Sequence, residues 1–360
     1  MTEVPGARDV RGEDAFDVDA AAGWLRDNAA DAAGLGERPG VRQFTGGASN
    51  LTYLLRYPTR DLILRRAPSG TKARGAHDMR REYVIQSALA PAFPYVAPMV
   101  GFCDDTSVIG GDFYAMERID GLIPRATWPA GVELTPAQAR RLCLNVADVY
   151  AELHSVDVAG VDPAGTGLAA LGKGNGYVRR QVDGWSTRFR DAHTPDNPEF
   201  TDVMAWLDAH QPGDVATCVI HNDFKIDNLV FSHDDPTRVV GVLDWEMATL
   251  GDPLMDLGGA LAFWIQADDS DELRMTKRVP TDLPGMITRD EFMRAYCERM
   301  GFDLTAEQWR FYEVFGLFRN AVIAQQIYYR YFHGQTTNEM FALFGPAVQI
   351  LDRRIAEVLA

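Results

Sequence analysis

Cysteine is scarce in this sequence, and the cysteines that it has stand far apart. Only 4 of the 360 residues are cysteine, and no two of them form a CxxC pair. Isolated cysteines without a histidine-rich tract exclude a disulfide scaffold and a zinc site as the basis of the fold. We therefore expect a reduced, cytoplasmic protein.

Basic charge and long apolar runs are also lacking. The chain has 35 Lys and Arg against 51 Asp and Glu, so its formal net charge is −16. Nucleic acids and anionic membranes call for a basic face, and no apolar run approaches the roughly 20 residues of a membrane span. Residues 1–30 lack the basic-then-apolar order of a signal peptide. The sequence therefore predicts no nucleic-acid and no membrane partner, and it leaves the oligomeric state open.

The composition is that of a globular protein, with 46% apolar and 24% charged residues. At roughly 150 residues per domain, the length predicts two domains or one domain with two lobes. Residues 1–34 are expected to form an extension that contains one helix. Residues 1–14, at the start of this extension, are charged and are expected to be disordered. Residues 35–118 predict a small strand-rich lobe, and residues 119–360 predict a larger helical lobe. The expected fold class is α+β.

The strand-rich lobe is predicted from two hairpins with a helix between them. Residues 51–57 and 61–65 are apolar segments joined by a turn, and residues 78–89 have helical spacing. Residues 107–109 and 112–117 flank a Gly-Gly pair, so we expect the second hairpin there.

In the helical lobe, two short apolar segments, 217–220 and 239–243, are expected to be strands, and each ends directly in an acidic cluster. Asp252 and Pro253 suit the N-cap and first turn of a helix, and Asp256 complements the positive end of the same helix. We therefore expect Asp252 and Asp256 to have structural roles. The alternative is that both also order the loop that presents Asp244. Further helices are expected over about 174–193, 199–209, 290–300, 306–333 and 338–358.

The strongest motif is HNDFKIDN at residues 221–228, which follows the first of these strands. Asp244 stands at the end of the second strand. Phosphoryl transfer needs such a set: Asp223 can accept or orient the hydroxyl proton of the acceptor, while Asn228 and Asp244 can hold Mg²⁺ on the phosphates of a nucleotide. The alternative is that these are only polar residues of a surface loop.

The spacing resembles the catalytic loop HRDxxxxN and the metal-binding DFG of the protein-kinase-like superfamily. Here Asp244 begins DWE, and GDPLMDL follows at residues 251–257. Together these motifs look like the aminoglycoside phosphotransferase and choline-kinase family, over roughly residues 40–345. The resemblance implies a two-lobed protein-kinase-like fold, ATP and Mg²⁺ as cofactors, and a small molecule with a hydroxyl group as substrate.

One branch of that family looks most similar. The segments at residues 44–53, 64–66 and 76–78 resemble the kinase-like domains that are fused to acyl-CoA dehydrogenases or encoded beside them. The resemblance implies a functional link between this protein and an acyl-CoA dehydrogenase.

The turn before the strand at 51–57 is a candidate lid over the nucleotide phosphates, because small residues let backbone N–H groups approach phosphate oxygens. A plain turn is the alternative reading. The lid residues are Gly46, Gly47, Ser49 and Asn50.

The family resemblance also implies the rest of the nucleotide site. Arg65 stands where protein kinases carry a phosphate-binding Lys, and Glu82 is its expected partner. Lys225 is expected to reach the transferring phosphate. The segment with Glu117 and Ile119 resembles the hinge whose backbone groups meet adenine. The alternatives are a surface arginine, a helix-face glutamate and a solvated lysine.

The acceptor is predicted from side chains of the helical lobe. Cations beside apolar surface suit a substrate with phosphates and an acyl chain. The resemblance to dehydrogenase-linked kinases implies the same direction, toward a hydroxyacyl-CoA or a related hydroxy acid. The alternative for the arginines is a solvated helix face. The acidic run at 268–272 is expected to be a solvated loop, and His154 a satisfied core histidine. The cations are Arg179, Arg180, Lys277, Arg278, Arg319 and Arg330, among the aromatic residues Trp185, Trp264, Tyr328, Tyr329 and Phe332.

Another small alcohol remains open as the acceptor, and so do three other functions. An aminoglycoside is polycationic, and an acidic kinase would not repel it. A non-catalytic nucleotide-binding protein of the same fold is disfavoured, because Asp223, Asn228 and Asp244 are all present. An oxidoreductase subunit lacks any flavin-binding or nicotinamide-binding motif.

Overall fold

The computed structural model describes residues 4–44, 50–68, 78–165 and 167–360. The chain divides into two compact units, of which the first is rich in strands and the second in helices. This confirms the predicted α+β class. The strand-rich unit is Met1–Asp120 with Gly241–Glu246, and the helical unit is Gly121–Val240 with Met247–Ala360.

The strand-rich unit contains a sheet in which every neighbouring pair of strands is antiparallel. Its strands are β1 (Ala7–Arg8), β2 (Gly40–Phe44), β3 (Leu51–Arg56), β4 (Asp61–Arg66), β5 (Met99–Cys103) and β6 (Phe113–Glu117), and its helices are α1 (Val18–Asn28), α2 (Met79–Leu89) and α3 (Thr106–Ile109). The strand order is β1-β2-β3-β4-β6-β5.

Side chains of the central strands alternate between two cores, as the period of two residues in a strand requires. Tyr53 and Leu64 belong to the core that also contains Leu25 of α1. Leu54 belongs to the other core, which contains Met79 of α2. Helices α1 and α3 therefore cover one face of the sheet, and α2 covers the other.

Residues 4–14 are ordered, contrary to the disorder predicted for residues 1–14, of which residues 1–3 lie outside the described part of the chain. Strand β1 pairs with β2, and the side chain of Gln43 donates a hydrogen bond to the Asp14 carboxylate at 2.8 Å. The carbonyl oxygen of Asp14 accepts further hydrogen bonds from Tyr53 and Arg66. These buried polar contacts offset the low apolar content on which the prediction rested.

The predicted second hairpin is also wrong. Residues 106–109 form helix α3, because Asp105 caps it through the N–H of Ser107 at 2.9 Å and Gly110 ends it in the left-handed region at φ 84°. Strand β6 pairs with β4 and β5 instead.

The helical unit combines short strands with most of the helices of the chain. Its strands are β7 (Cys218–Ile220), β8 (Leu229–Phe231), β9 (Val239–Val242, which ends in the strand-rich unit) and β10 (Thr249–Gly251). Its helices are α4 (Pro136–His154), α5 (Val158–Val161), α6 (Tyr177–Ala192), α7 (Thr201–His210), α8 (Pro253–Leu261), α9 (Asp271–Arg274), α10 (Arg289–Met300), α11 (Ala306–Phe332) and α12 (Phe344–Leu359).

Helices α8 and α11 approach each other through glycines. A Cβ atom on Gly258 would lie 2.3 Å from the carbonyl oxygen of Tyr312, and one on Gly316 would lie 2.1 Å from the carbonyl oxygen of Gly258. Only glycine permits this approach, which fixes α8 against the long helix α11. In the part of the chain that the structure describes, no helix has the length and apolar character to cross a membrane.

Candidate active site

The predicted catalytic motif lies in the helical unit, in the loop that follows β7. The Lys225 ammonium group lies 2.9 and 2.8 Å from the two carboxylate oxygens of Asp223. The amide nitrogen of Asn228 donates to the carbonyl oxygen of Asp223 at 2.9 Å and to its Oδ2 at 2.8 Å. Among the described residues no donor contacts Oδ1 of Asn228, which leaves this oxygen available to a metal ion. The structure thus brings all three predicted residues together.

The backbone before Asp223 is held in an unusual conformation. Asn222 has φ 63°, in the left-handed region that Asn tolerates better than other side chains. Its N–H donates to Oδ1 of Asp256 at 2.7 Å, and its carbonyl oxygen accepts from Arg319 at 2.7 Å. The N–H of His221 donates to the other Asp256 oxygen at 2.7 Å. Because these contacts fix both sides of the peptide, they set the direction in which Asp223 leaves the loop.

Asp256 is buried, and a second layer of polar side chains supports it. His154 lies 3.2 Å from Oδ2 of Asp256 through Nε2 and 2.5 Å from the Tyr296 hydroxyl through Nδ1. Burial alone would raise the pKa of Asp256, but the hydrogen bonds and charges around it hold that pKa below its ordinary value. His154 is a satisfied core histidine, as expected.

The predicted role of Asp256 at the start of α8 is therefore incomplete, since this carboxylate also holds the predicted catalytic loop. Arg319 was predicted as an acceptor-binding cation, yet it is buried and binds the carbonyl oxygen of Asn222. The GDPxxDL spacing signals Asp256, whereas no local pattern in α11 signals the role of Arg319.

Asp252 does have the predicted capping role. Its Oδ1 accepts from the N–H groups of Leu254 and Met255, and its Oδ2 accepts from the N–H of Val215 at 2.7 Å. Burial raises the pKa of Asp252 to about 6, against the opposing effect of these hydrogen bonds.

The strand-rich unit contains a cluster of carboxylates around Arg65. The guanidinium group of Arg65 lies 3.2 Å from Glu82, 3.3 Å from Asp244 and 3.8 Å from Glu246. Burial disfavours its charge, but the surrounding oxygen atoms hold the pKa of Arg65 above its ordinary value. The predicted pairing of Arg65 with Glu82 is present, and Glu246 is a further member that the sequence analysis did not single out.

Glu82 is tied to the sheet as well as to Arg65. Its carboxylate accepts from the Asn50 amide at 2.7 Å and from the Tyr114 hydroxyl at 2.8 Å. Burial raises the pKa of Glu82, and Arg65 opposes this effect. Asn50 also donates to Glu246 at 3.1 Å, so its amide contacts two carboxylates. The other predicted lid residues, Gly46, Gly47 and Ser49, lie outside the described residues.

Asp244 has a second left-handed backbone, with φ 67°. The next residue, Trp245, is buried, donates through Nε1 to the carbonyl oxygen of Val242 at 2.9 Å and meets the edge of Phe93. The buried Trp245 therefore anchors Asp244 and Glu246, the acidic residues on either side of it, and this is a physical reason for the DWE motif. Oδ1 of Asp244 accepts from Arg65, and no described residue donates to its Oδ2.

The predicted adenine hinge lies at the end of β6. The Glu117 carboxylate forms an ion pair with Arg60, and its N–H donates to the carbonyl oxygen of Pro98 at 2.9 Å. Both groups of Glu117 are therefore used within the unit. The N–H of Ile119 has no partner among the described residues, which leaves it as the available backbone donor of this segment.

Most of the predicted acceptor cations have partners of their own. Arg179 pairs with Asp183, and Lys277 pairs with Asp282 at 3.0 Å. Arg180 donates to backbone carbonyl oxygens. Two others differ, because Arg278 lies over the ring of Phe344 and Arg330 over that of Phe341, with no carboxylate partner among the described residues.

The acidic run at 268–272 is not the fully solvated loop that was expected. Asp269 is largely buried and pairs with Arg289 at 2.6 Å. Its carboxylate also accepts from the N–H of Gln266 at 2.7 Å. Asp269 therefore holds the segment against the start of α10.

Comparison with known proteins decides the family. Residues 40–303 match the phosphotransferase enzyme family known as APH. The chain belongs to this family. It is 36% identical over 296 residues to mouse acyl-CoA dehydrogenase family member 10, which covers 82% of this chain and 27% of that protein. The chain spans between about a quarter and a half of the length of the curated relatives that it matches.

Solved structures confirm the kinase-like fold of this family member. A protein from Ralstonia eutropha JMP134, provisionally assigned as an aminoglycoside phosphotransferase, is 30% identical, with a TM-score of 0.78 over 96% of this chain and 98% of that one. Choline kinase from Cryptosporidium parvum shares the fold, with 12% identity and a TM-score of 0.56 over 95% and 94% of the two chains. The resemblance to the dehydrogenase-linked branch is confirmed as well.

Proposed function

We propose that this family member transfers the γ-phosphoryl group of ATP to a hydroxyl group of a hydroxyacyl-CoA or a related hydroxy acid. The observation that carries the proposal is the catalytic loop, in which Asp223, Lys225 and Asn228 form one hydrogen-bonded group. Such a group is what a phosphotransferase needs at the attacking oxygen.

Asp223 would accept the proton of the acceptor hydroxyl as its oxygen attacks the γ-phosphorus. A positioned carboxylate contributes to such a step because it receives the proton as the new bond forms. Lys225 is already beside both oxygens of Asp223, and its flexible side chain can turn from the carboxylate to the phosphoryl group in transfer. The proton thus passes to Asp223, and the leaving group is ADP.

Candidate ligands for the nucleotide and for a divalent metal ion, which we take to be Mg²⁺, are present in each unit. Asn228 Oδ1 and Asp244 Oδ2 are hard oxygen ligands without a donor among the described residues, which fits Mg²⁺. When bound, Mg²⁺ neutralises charge on the phosphate oxygens. Arg65 would bind a phosphate, the N–H of Ile119 would meet the base, and the segment from Gly46 to Asn50 would cover the phosphates.

The choice of acceptor rests on charge. Arg278 and Arg330 are exposed, lie over phenylalanine rings and have no carboxylate partner in the described part of the chain. Guanidinium groups of this kind bind phosphates well, so they favour a coenzyme A thioester over a polycationic amine. The dehydrogenase name of the mouse relative agrees with an acyl-CoA and with a functional link between the two activities.

The test is ADP release with hydroxyacyl-CoA thioesters, the free hydroxy acids and kanamycin-type amines, each with Mg-ATP. We expect the thioesters to give the highest kcat/KM, and the product to carry phosphate on its hydroxyl oxygen. A higher kcat/KM for an amine than for every thioester would overturn the choice of acceptor. Nucleotide binding without turnover of any acceptor would favour a non-catalytic protein.

A further inference from the structure

A short segment of the helical unit, residues 121–128, is fixed against strand β8. The main chains of Leu122 and Phe231 exchange two hydrogen bonds, at 2.7 and 2.8 Å. A Cβ atom on Gly121 would lie 2.4 Å from the carbonyl oxygen of Phe231, so glycine is required for this approach. The rings of Trp128 and Phe231 have their centres 5.3 Å apart. The segment is thus held at both of its ends.

Arg125 lies between these two ends and contacts the loop that follows β7. Its Nη1 donates to the carbonyl oxygen of Asp227 at 3.3 Å. Asp227 belongs to the turn that ends at Asn228, and the Asn228 amide donates to the Asp223 carboxylate at 2.8 Å. One turn of the chain therefore separates the guanidinium group from the carboxylate that is expected to receive the proton of the acceptor.

The charge of Arg125 is available to a ligand. The side chain is exposed, and among the described residues no carboxylate lies within ion-pair distance of it. Its hydrogen bond goes to a main-chain oxygen, so this contact fixes the guanidinium group without neutralising it. Nε and Nη2 have no acceptor in the described part of the chain, and together they form the edge of the group that matches two oxygen atoms of a carboxylate or a phosphate.

We propose that Arg125 binds an anionic group of the acceptor while the acceptor hydroxyl lies at Asp223. This inference rests on the proposed function and narrows its substrate to hydroxy compounds that carry a phosphate or a carboxylate. A second point of attachment beside the reacting hydroxyl orients the acceptor, whereas the same guanidinium group would repel the ammonium groups of an amino sugar. Two acceptors supply such an anion: a thioester through a phosphate of coenzyme A, and a free hydroxy acid through its carboxylate.

The experiment compares substitutions of Arg125 with a matched control. Arg125→Ala removes the charge, and Arg125→Lys keeps the charge without the planar edge. Arg140→Ala is the control, since it removes an arginine that pairs with Glu291 at 3.0 Å in the same unit. Each charged acceptor is paired with a neutral analogue: the hydroxyacyl-CoA with the corresponding N-acetylcysteamine thioester, and the hydroxy acid with its amide. Thermal unfolding checks that every variant is folded.

We expect Arg125→Ala to raise the KM for the charged acceptor by about 10- to 100-fold, with little change in kcat or in the KM for ATP. The KM for the neutral analogue should be the same as in the wild type. Arg125→Lys should recover part of the loss, and Arg140→Ala should behave like the wild type. An effect confined to the thioester identifies a coenzyme A phosphate as the bound anion, and an effect confined to the hydroxy acid identifies the carboxylate.

A rise in the KM for ATP alone would overturn the inference, because it would assign Arg125 to the nucleotide. An equal rise in KM for charged and neutral acceptors would also overturn it, since a structural role would act on both.

A binding measurement without catalysis separates this inference from the proposed function. Calorimetry uses acyl-CoA thioesters and carboxylic acids that lack the hydroxyl group. Weaker binding to Arg125→Ala than to the wild type, with no phosphorylation of any hydroxylated acceptor, supports the role of Arg125 and overturns the proposed function. Phosphorylation of a hydroxyacyl-CoA or a hydroxy acid with the same KM in the wild type and Arg125→Ala overturns the role of Arg125 and leaves the proposed function intact.

Discussion

The strand-rich unit and the helical unit hold their acidic residues in different ways. In the strand-rich unit, Asp244 is held by side-chain charges, since Arg65 contacts it together with Glu82 and Glu246. In the helical unit, Asp223 follows a backbone that Asp256 fixes through two N–H groups. The first arrangement depends on charge and the second on peptide geometry, so substitutions should separate them.

The largest effect is expected from Asp223→Asn. The amide cannot accept the hydroxyl proton, so kcat should fall by ~10²–10⁴. ATP affinity should change little, because Arg65 and Asp244 are untouched. Steady-state kinetics with the best hydroxyacyl-CoA and a separate ATP titration check both parts. The matched substitution Asp244→Asn should weaken Mg-ATP binding as well as turnover, and a full kcat in Asp223→Asn would contradict the role of this residue.

Arg65→Ala should disrupt the arrangement that depends on charge, in which Arg65 contacts Asp244, Glu82 and Glu246. Hydrogen bonds to charged groups contribute about 1.5–3 kcal/mol, so the KM for ATP should rise by about 10- to 100-fold, with a much smaller change in the KM for the acceptor. Arg65→Lys should recover part of the loss, because it restores the charge without the guanidinium fork. Arg38→Ala is the control, since that arginine pairs with Asp19 on the surface. An unchanged KM for ATP in Arg65→Ala would assign phosphate binding to another residue.

Asp256→Asn should test the arrangement that depends on peptide geometry, through the pH dependence of the unfolding free energy. The pKa of Asp256 is lower in the folded protein than in the unfolded chain, so its ionisation stabilises the fold above the unfolded pKa of about 3.9. That stability is lost as the pH falls through the folded pKa. The difference in unfolding free energy between wild type and variant should therefore be largest near neutral pH and should narrow below about pH 4.

The control for this measurement is Asp214→Asn. Asp214 accepts from the N–H groups of Gly176, Tyr177 and Val178, and its pKa is also low, because these hydrogen bonds outweigh the effect of burial. The difference in unfolding free energy between the wild type and Asp214→Asn should also narrow at low pH. This variant should keep a normal kcat, since Asp214 caps α6 and does not touch the catalytic loop. A loss of kcat in Asp214→Asn equal to that in Asp256→Asn would remove the special role of Asp256.

Local patterns predicted the parts of the site that lie within one motif. Asp223, Lys225 and Asn228 are within six residues of one another, and the structure brings them together. The pairing of Arg65 with Glu82 followed from the family resemblance. Their catalytic and binding roles stay predictions, as does the assignment of lobes to 1–34, 35–118 and 119–360.

Contacts between distant residues could not be predicted in the same way. Arg319 reaches Asn222 because glycines bring α11 against α8, and His154 reaches Asp256 from α4. Nothing in the local spacing of α11 or α4 encodes these pairs. The prediction that residues 1–14 are disordered was wrong for a related reason, since Asp14 is stabilised by side chains from β2, β3 and β4.

The smallest effect is expected at Asn222, whose left-handed backbone the loop requires. Asn222→Gly should keep kcat within a few fold, because glycine adopts φ near 63° without strain and the N–H to Asp256 remains. Asn222→Ala should cost about 1 kcal/mol of stability and lower kcat further, since the Cβ disfavours this conformation. The side-chain contacts with Tyr177 and Met247 are lost in both variants, so the difference between them isolates the backbone. Kinetics and thermal unfolding of the pair measure it, and equal behaviour of the two variants would show that the side-chain contacts, and not the left-handed peptide, set the direction of Asp223.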